Sequence, residues 1–356
     1  MTGYIVFFIL LFLVPSVFKR RKSQVWAYFF ILVLFSGIRY GMSYDYFMYV
    51  SFIEGGYNHT EAIPAMIETL ARNLNSPPLY FVLTSCMVTA FVMLSIYRAS
   101  SNISLSTFLY VGLPMFFFQD LSTVRQAMAS SIIFYLIVRL GQRRVLLSGK
   151  SNKQFLEVVF WISIAFLCHK AAIVALILFF PWVKLTRKAG ILLVCIAFII
   201  GMMIVPIISI LTSIVGGSII NKLNVYIATP MEGFFFVRAG MYIIIALLYM
   251  KYETLVQINP RNKFYLNISI VAIIINALLI VNSHLALRSS IFFWGPVLLL
   301  LPDYIRIIKI SRFACKVCCI MLFMISILTA YVQTLFAEPT YYFYPYTTIF
   351  DKDAVF

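Results

Sequence analysis

The sequence predicts an all-α polytopic membrane protein, and three observations carry that prediction. Hydrophobic residues make up 63% of the 356-residue chain, charged residues only 11%, and the mean hydropathy is +0.97, a composition far from that of a soluble globular domain. Apolar stretches of roughly 14 to 22 residues recur from end to end. Each is closed by charge, Pro, Asn or Ser, so helical spans, rather than strands of a barrel, are the natural reading.

The pattern predicts about twelve spans, at roughly 4–18, 25–38, 78–97, 103–118, 122–139, 154–168, 171–183, 189–208, 238–250, 264–281, 289–302 and 314–336. No cationic segment precedes the first, and "KRRK" at 19–22 follows it, so it is read as a retained span and not as a signal peptide. The whole chain, 1–356, is expected to be one transmembrane domain. Its longest pieces between spans are 39–77, 139–153, 209–237 and the tail 337–356. In the first of these, Ile63, Ile67, Leu70 and Leu74 repeat at helical spacing, with Glu61, Glu68, Arg72 and Asn75 elsewhere around the turn. Pro64 and the pair Pro77-Pro78 bracket it, which predicts an amphipathic helix over 61–75 lying on the membrane face. The Gly-Gly and Pro of 209–237 suggest a loop along the interface. The aromatic, proline-rich tail suits an interfacial belt.

Lysine and arginine favour cytoplasmic loops. With "KRRK" inside, 20 of the 28 cations fall on the inner side, and nine of the twelve carboxylates on the outer. The formal net charge of +16 therefore reflects topology, and nucleic-acid binding is not implied. Both termini are expected outside. The six cysteines sit in or at the ends of spans with no partner pattern, which argues against a disulfide framework; "CKVCC" at 315–319 reads as small apolar packing.

Four of the outer cations, Arg125, Lys170, Arg238 and Arg288, are each expected at the start of a span running inward. A helix N-terminus already carries partial positive charge, so a cation there is mildly unfavourable. A shared anion would reverse the sign, since N–H groups and guanidinium groups would both face negative oxygens. Arginine favours a planar, bidentate partner such as phosphate or carboxylate, although snorkelling to headgroups is the simpler alternative. All three histidines, His59, His169 and His284, are expected on the same side, the second directly before Lys170 and the third four residues before Arg288. Asp45 and Asp120 are the carboxylates nearest the boundary. Asp120, with Ser122 and Thr123, is expected to cap the fifth span, and Asp45 has no such explanation. A cationic outer pocket holding a carboxylate and histidines suits chemistry on a lipid-linked diphosphate, with a base to take a proton from an incoming hydroxyl. No metal-ligand pair stands out, so arginine is expected in place of a metal, and no cofactor is expected.

The stretch "GIRYGMSYDYFMY" resembles the segment after an early span in the EpsG family, the Wzy-type polymerases of bacterial polysaccharides, with an approximate pattern R-Y-x-[IV]-G-x-D-Y-x-x-Y. Arg39, Tyr40, Asp45, Tyr46 and Tyr49 match, while Ser43 and Tyr44 stand where Gly-Thr is usual. "EAIPAMIETL" from Glu61, "STVRQAMASSI" with Arg125, Gln126 and Ala129, "CHKAAIVAL" with His169 and Lys170, and "NKLNVY" with Lys222 and Tyr226 follow in the family's order. "ALRSSIFFWGP", with Arg288, Phe292 and Phe293, is similar to its late span.

The resemblance, covering about 36–300, implies a polyprenyl-diphosphate-linked oligosaccharide as substrate. It implies transfer of the growing chain from its lipid carrier to another lipid-linked unit, on the periplasmic face of the bacterial inner membrane. It also implies kinship with the multi-span C-type glycosyltransferases, and a chain-length regulator as a candidate partner beside membrane lipid. Asp45, His169, Arg125 and Arg288 are the expected catalytic residues, with either Asp45 or His169 as base. Arg39, Tyr46, Gln126, Lys170, Lys222, Tyr226, Arg238 and His284 are expected to bind substrate. A flippase of the same lipid-linked unit and a membrane acyltransferase are the alternatives.

Overall fold

A computed structural model describes residues 2–43, 45–144, 152–180, 182–215, 235–280, 282–336 and 346–351. Among these residues the fold is helical, and an isolated bridge pairs Arg39 with Thr348. The helices are α1 (Thr2–Val17), α2 (Arg21–Gly37), α3 (Tyr46–Glu54), α4 (Ala62–Asn73), α5 (Pro77–Ala99), α6 (Ile103–Gly112), α7 (Phe117–Ser122), α8 (Val124–Arg144) and α9 (Asn152–Cys168). They continue as α10 (Arg187–Val215), α11 (Phe235–Met250), α12 (Tyr252–Ile258), α13 (Arg261–Leu278), α14 (Ser283–Ser290), α15 (Val297–Ile307) and α16 (Arg312–Phe336). Three 3₁₀ segments intervene, Lys170–Phe179, Trp182–Lys184 and Ile291–Phe293.

Among the described residues two helices, α5 and the Val124–Arg143 part of α8, are long and apolar enough to cross a membrane. Two bent pairs raise that to four if each is one broken span: Arg238–Met250 with Tyr252–Ile258, bent by 70°, and Leu285–Phe293 with Val297–Ile307, bent by 64°. Shorter apolar helices accompany these, among them Thr2–Val17, Ile103–Gly112 and Phe155–Cys168, and proline explains two of the breaks within expected spans. Leu113, before Pro114, is extended (φ −87°, ψ 122°), as a residue preceding proline prefers, and the expected span 103–118 divides into α6 and α7. Gly295-Pro296 likewise separates the Ile291–Phe293 turn from α15, within the expected span 289–302.

Side-chain contacts fix which ends lie together. Arg21 at the start of α2 donates to the carbonyls of Tyr97 (3.2 Å) and Ser100 (2.9 Å) at the end of α5, so these helices are antiparallel. Gln142 late in α8 reaches the Arg98 carbonyl (3.0 Å), so α5 and α8 run in parallel. Arg139 and Arg143 both meet Glu157 early in α9. Arg21, Arg98, Arg139 and Arg143 thus share one end of the bundle. The segments 38–77 and 117–125, with the start of the Lys170–Phe179 turn, occupy the other.

At that second end α4 forms within the predicted range, but it faces the reverse of what an amphipathic helix in water would. Glu61, Pro64, Glu68 and Ala71 are buried against the protein, while Met66, Leu70 and Leu74 are exposed. Glu61 meets Arg125 and Glu68 meets His59 on the inward side, and those contacts set the rotation of the helix about its axis. The turn before α3 is also unusual. Ser43, where the family pattern has glycine, sits at φ +89°, a region costly for a residue with a Cβ. Its hydroxyl donates to the Leu121 carbonyl (2.9 Å), which helps hold the turn in place.

Candidate functional site

Arg125 stands in the first turn of α8, at the centre of a cluster drawn from five stretches of chain. Its Nη1 donates to Glu61 Oε2 at 2.8 Å and its Nε to the Tyr49 hydroxyl at 3.4 Å. Glu61 Oε2 also accepts from the Thr60 hydroxyl (3.3 Å), and Glu61 Oε1 lies 3.4 Å from His169 Nδ1. Lys170, next in sequence, donates to Thr60 Oγ1 at 3.1 Å. Gln126 donates to the Arg288 carbonyl at 2.5 Å, joining the start of α8 to the end of α14 across 162 positions.

Electrostatics add Asp45 to this group. Burial raises its carboxyl above the usual carboxylate range, opposed by the charges of Arg288 and Arg125. Burial, reinforced by the charge of Arg125, holds the His169 imidazole below its ordinary value against the opposing pull of Glu61. For Glu61 burial acts upward, yet the charge and hydrogen bond of Arg125 outweigh it and the carboxyl titrates below normal.

The loop that carries Glu61 is folded down by its own contacts. The His59 backbone N–H donates to Glu68 Oε2 (2.9 Å) and its imidazole Nδ1 meets Glu68 Oε1. Arg72 donates to the carbonyls of Ile53 (2.9 Å) and Tyr57 (2.7 Å) and to the side chain of Asn58 (3.0 Å). Tyr49 stacks on Tyr80 with centroids 5.1 Å apart. These contacts present the start of α4 to α8 and to the end of α9 as a fixed surface.

Arg125, His169, Lys170, Arg288 and Asp45 are accordingly assembled at one end of the bundle. Arg288 is in the last turn of α14, not at the helix start expected from sequence, and there a cation is favoured by the helix dipole. Arg39 is placed differently from the expectation that it meets a diphosphate. At 2% exposure it donates to the carbonyls of Ser36 and, at 3.1 Å, Leu121, and its guanidinium lies 4.8 Å from the centre of the Phe81 ring. Tyr46 is a core residue stacked on the other part of that assembly, 4.2 Å from Phe81. Arg238 lies near the start of α11, where its charge acts on Tyr242. Asp120 does not cap α8; it accepts the Tyr110 hydroxyl at 2.7 Å, and two cavities flank that pair, one of them lined also by Arg39. Lys222 and Tyr226 lie outside the described residues, as does the side chain of His284.

Glu61 is the residue that sequence reasoning missed as part of the site. It opens one of the stretches that resemble the family, but its place on the polar side of an expected amphipathic helix gives no sign of a partner in the site. Among the described residues no three His, Cys, Asp or Glu side chains gather as a metal-binding set.

Apolar helices, two of them bent pairs, and an arginine-centred polar cluster at one end define a helical membrane protein with a cationic site. The chain matches the EpsG family over residues 24–348 and belongs to that family, whose members are Wzy-type polymerase-like proteins, which indicates a polymerase-like role in polysaccharide biosynthesis. Comparison with curated proteins and with solved structures gives no match.

Proposed function

We propose that this protein polymerises polyprenyl-diphosphate-linked oligosaccharide repeat units of a surface polysaccharide at the periplasmic face of the bacterial inner membrane. The observation that carries the reading is that Arg125 and Arg288 are brought to one end of the bundle, where Gln126 beside Arg125 donates to the Arg288 carbonyl and both charges act on Asp45 and His169. Two guanidinium groups suit the paired charges of a diphosphate, to which they can donate bidentately. In the reaction the acceptor hydroxyl oxygen forms a bond to the anomeric carbon of the growing chain. The bond from that carbon to the phosphate oxygen breaks, and the polyprenyl diphosphate leaves with the electron pair. Arg125 and Arg288 stabilise the charge that develops on the leaving group. The hydroxyl proton passes to one of the two groups flanking them, Asp45 or His169.

The test is elongation of a purified lipid-linked repeat unit by the protein in liposomes. A ladder of longer saccharides is expected from the wild-type protein, with a loss of about 100-fold for Arg125→Ala or Arg288→Ala, the scale of removing one positioned donor. Unaltered ladders from correctly inserted variants would refute the reading. The two bent helix pairs also suit a transporter, in which broken helices line a midplane site. Sided movement of the unit without elongation is the result that would favour a flippase.

A further inference from the structure

Glu61 occupies the N-cap position of α4, where an acidic side chain ordinarily accepts a hydrogen bond from its own helix. It makes no such bond. Its carboxylate instead reaches across to α8 and to the end of α9, one oxygen toward Arg125 and the other toward His169 Nδ1. The Glu61 side chain is only 5% exposed, against 24% for Arg125 and 17% for His169. The carboxylate therefore lies behind the other two, out of the path of a ligand that reaches them. A carboxylate at Nδ1 favours the imidazole with its proton on that nitrogen, which leaves Nε2 bare as a proton acceptor. At 3.4 Å the two atoms face each other without a completed hydrogen bond, and buried Nδ1 has no other partner, an approach of the kind that tightens when a substrate is bound.

We infer that Glu61 is the positioning residue that makes His169, and not Asp45, the base of the polymerisation, by fixing the His169 tautomer while anchoring Arg125. This rests on the polymerase reading above. The acceptor hydroxyl proton then moves to His169 Nε2 as its oxygen bonds the anomeric carbon, and the diphosphate departs on the arginines. The charged groups that act on His169 are Arg125 of α8, Glu61 at the head of α4 and Arg288 of α14, while its neighbour Lys170 turns to Thr60. Burial first, then the two arginines, favour the neutral imidazole, and Glu61 supplies the opposing charge. That combination gives a neutral imidazole with a defined free nitrogen, which a lone buried histidine among cations would lack.

The experiment uses full-length protein labelled with 15N-histidine in liposomes. With only three histidines, the His169 signals are assigned by their loss in His169→Gln. The expected wild-type spectrum has the proton on Nδ1. Glu61→Gln keeps an acceptor for Arg125 but loses the charge. It should shift the tautomer toward Nε2–H and lower the His169 titration midpoint, because the carboxylate is the group that raises it. In parallel, Glu61→Gln should lower kcat for elongation about 100-fold with little change in KM, and move the acidic limb of the pH profile downward. Glu61→Asp should recover part of kcat. Adding Glu61→Gln to His169→Gln should cost little more, since both remove the same function. An unchanged imidazole spectrum in Glu61→Gln, or a kcat within twofold of wild type, overturns the inference. Should the wild-type protein elongate nothing, the polymerase reading fails separately, and the spectrum alone decides whether Glu61 sets the His169 tautomer.

Discussion

Replacing Arg125 with methionine separates what this side chain does for folding from what it does for chemistry. The substitution keeps the aliphatic stem and deletes the guanidinium, leaving Glu61 as a buried carboxylate, 6% exposed, with Thr60 and His169 as its remaining neighbours. Removing one partner of a buried ion pair costs about 3–5 kcal/mol. Arg125 itself is 24% exposed, so water relieves part of this, and a loss of about 2 kcal/mol is expected. In a chain of this size that corresponds to a fall in Tm of roughly 3 °C. Neutralising the stranded carboxylate as well, in Arg125→Met with Glu61→Gln, should restore stability to within about 1 kcal/mol of wild type, because no uncompensated charge remains. Elongation should stay at least about 100-fold below wild type in the double variant, since the donor to the leaving diphosphate is still absent and Glu61→Gln adds the loss of the residue that positions His169. Thermal unfolding of the solubilised protein and a saccharide ladder from the same preparation read the two quantities side by side. A double variant that is both stable and active would show that Arg125 serves only to neutralise Glu61, and the proposed chemistry at this site would fall.

Three further outcomes follow from the same geometry. Arg39→Met removes the side-chain donor to the Ser36 carbonyl and one of the two donors to the Leu121 carbonyl, and empties the contact over Phe81; it should cost about 3 kcal/mol and lower elongation only in proportion to folded protein. A stable Arg39→Met that fails to elongate would place Arg39 in the reaction after all. Ser43→Ala keeps the φ of +89° and loses the bond to Leu121, for a loss of about 1 kcal/mol, whereas Ser43→Gly loses the bond but relieves the backbone and should match wild type within about 1 kcal/mol; equal Tm values for the two would contradict a strained turn. Glu61, depressed below the 4.5 of an unperturbed glutamate by Arg125, contributes stability that is present above that pH and lost as pH falls through its folded value; Glu61→Gln should flatten the acid side of the Tm profile, and an unaltered acid limb would count against the pairing.

How much of this was legible in the sequence differs from one element to the next. The periodicity of 61–75 announces a helix, and one forms over Ala62–Asn73. Which side faces inward could not be read from that pattern, because the usual rule assumes water outside and a featureless core within. Here Arg125 and His59 await Glu61 and Glu68, and the polar side turns in. Pro114 and Pro296 were visible breaks, but their effect on the expected spans was discounted by hydropathy averaged over a window. Arg39 and Arg125 look alike in sequence, each beside an apolar run with aromatic neighbours. One is sealed between backbone carbonyls and Phe81, the other keeps an open face beside Asp45, His169 and Arg288.

By itself the sequence determined the helical, lipid-compatible class, the family, and the supply of cations and histidines from which a site could be made, since composition, hydropathy and motif order are properties of the chain alone. Only the tertiary structure decided that Arg288 lies with Arg125, that Glu61 stands behind both Arg125 and His169, and that Arg39 is a buried clasp. Those facts depend on distances between segments as far apart as 162 positions, and on a balance of burial against pairing that is struck only when the helices pack.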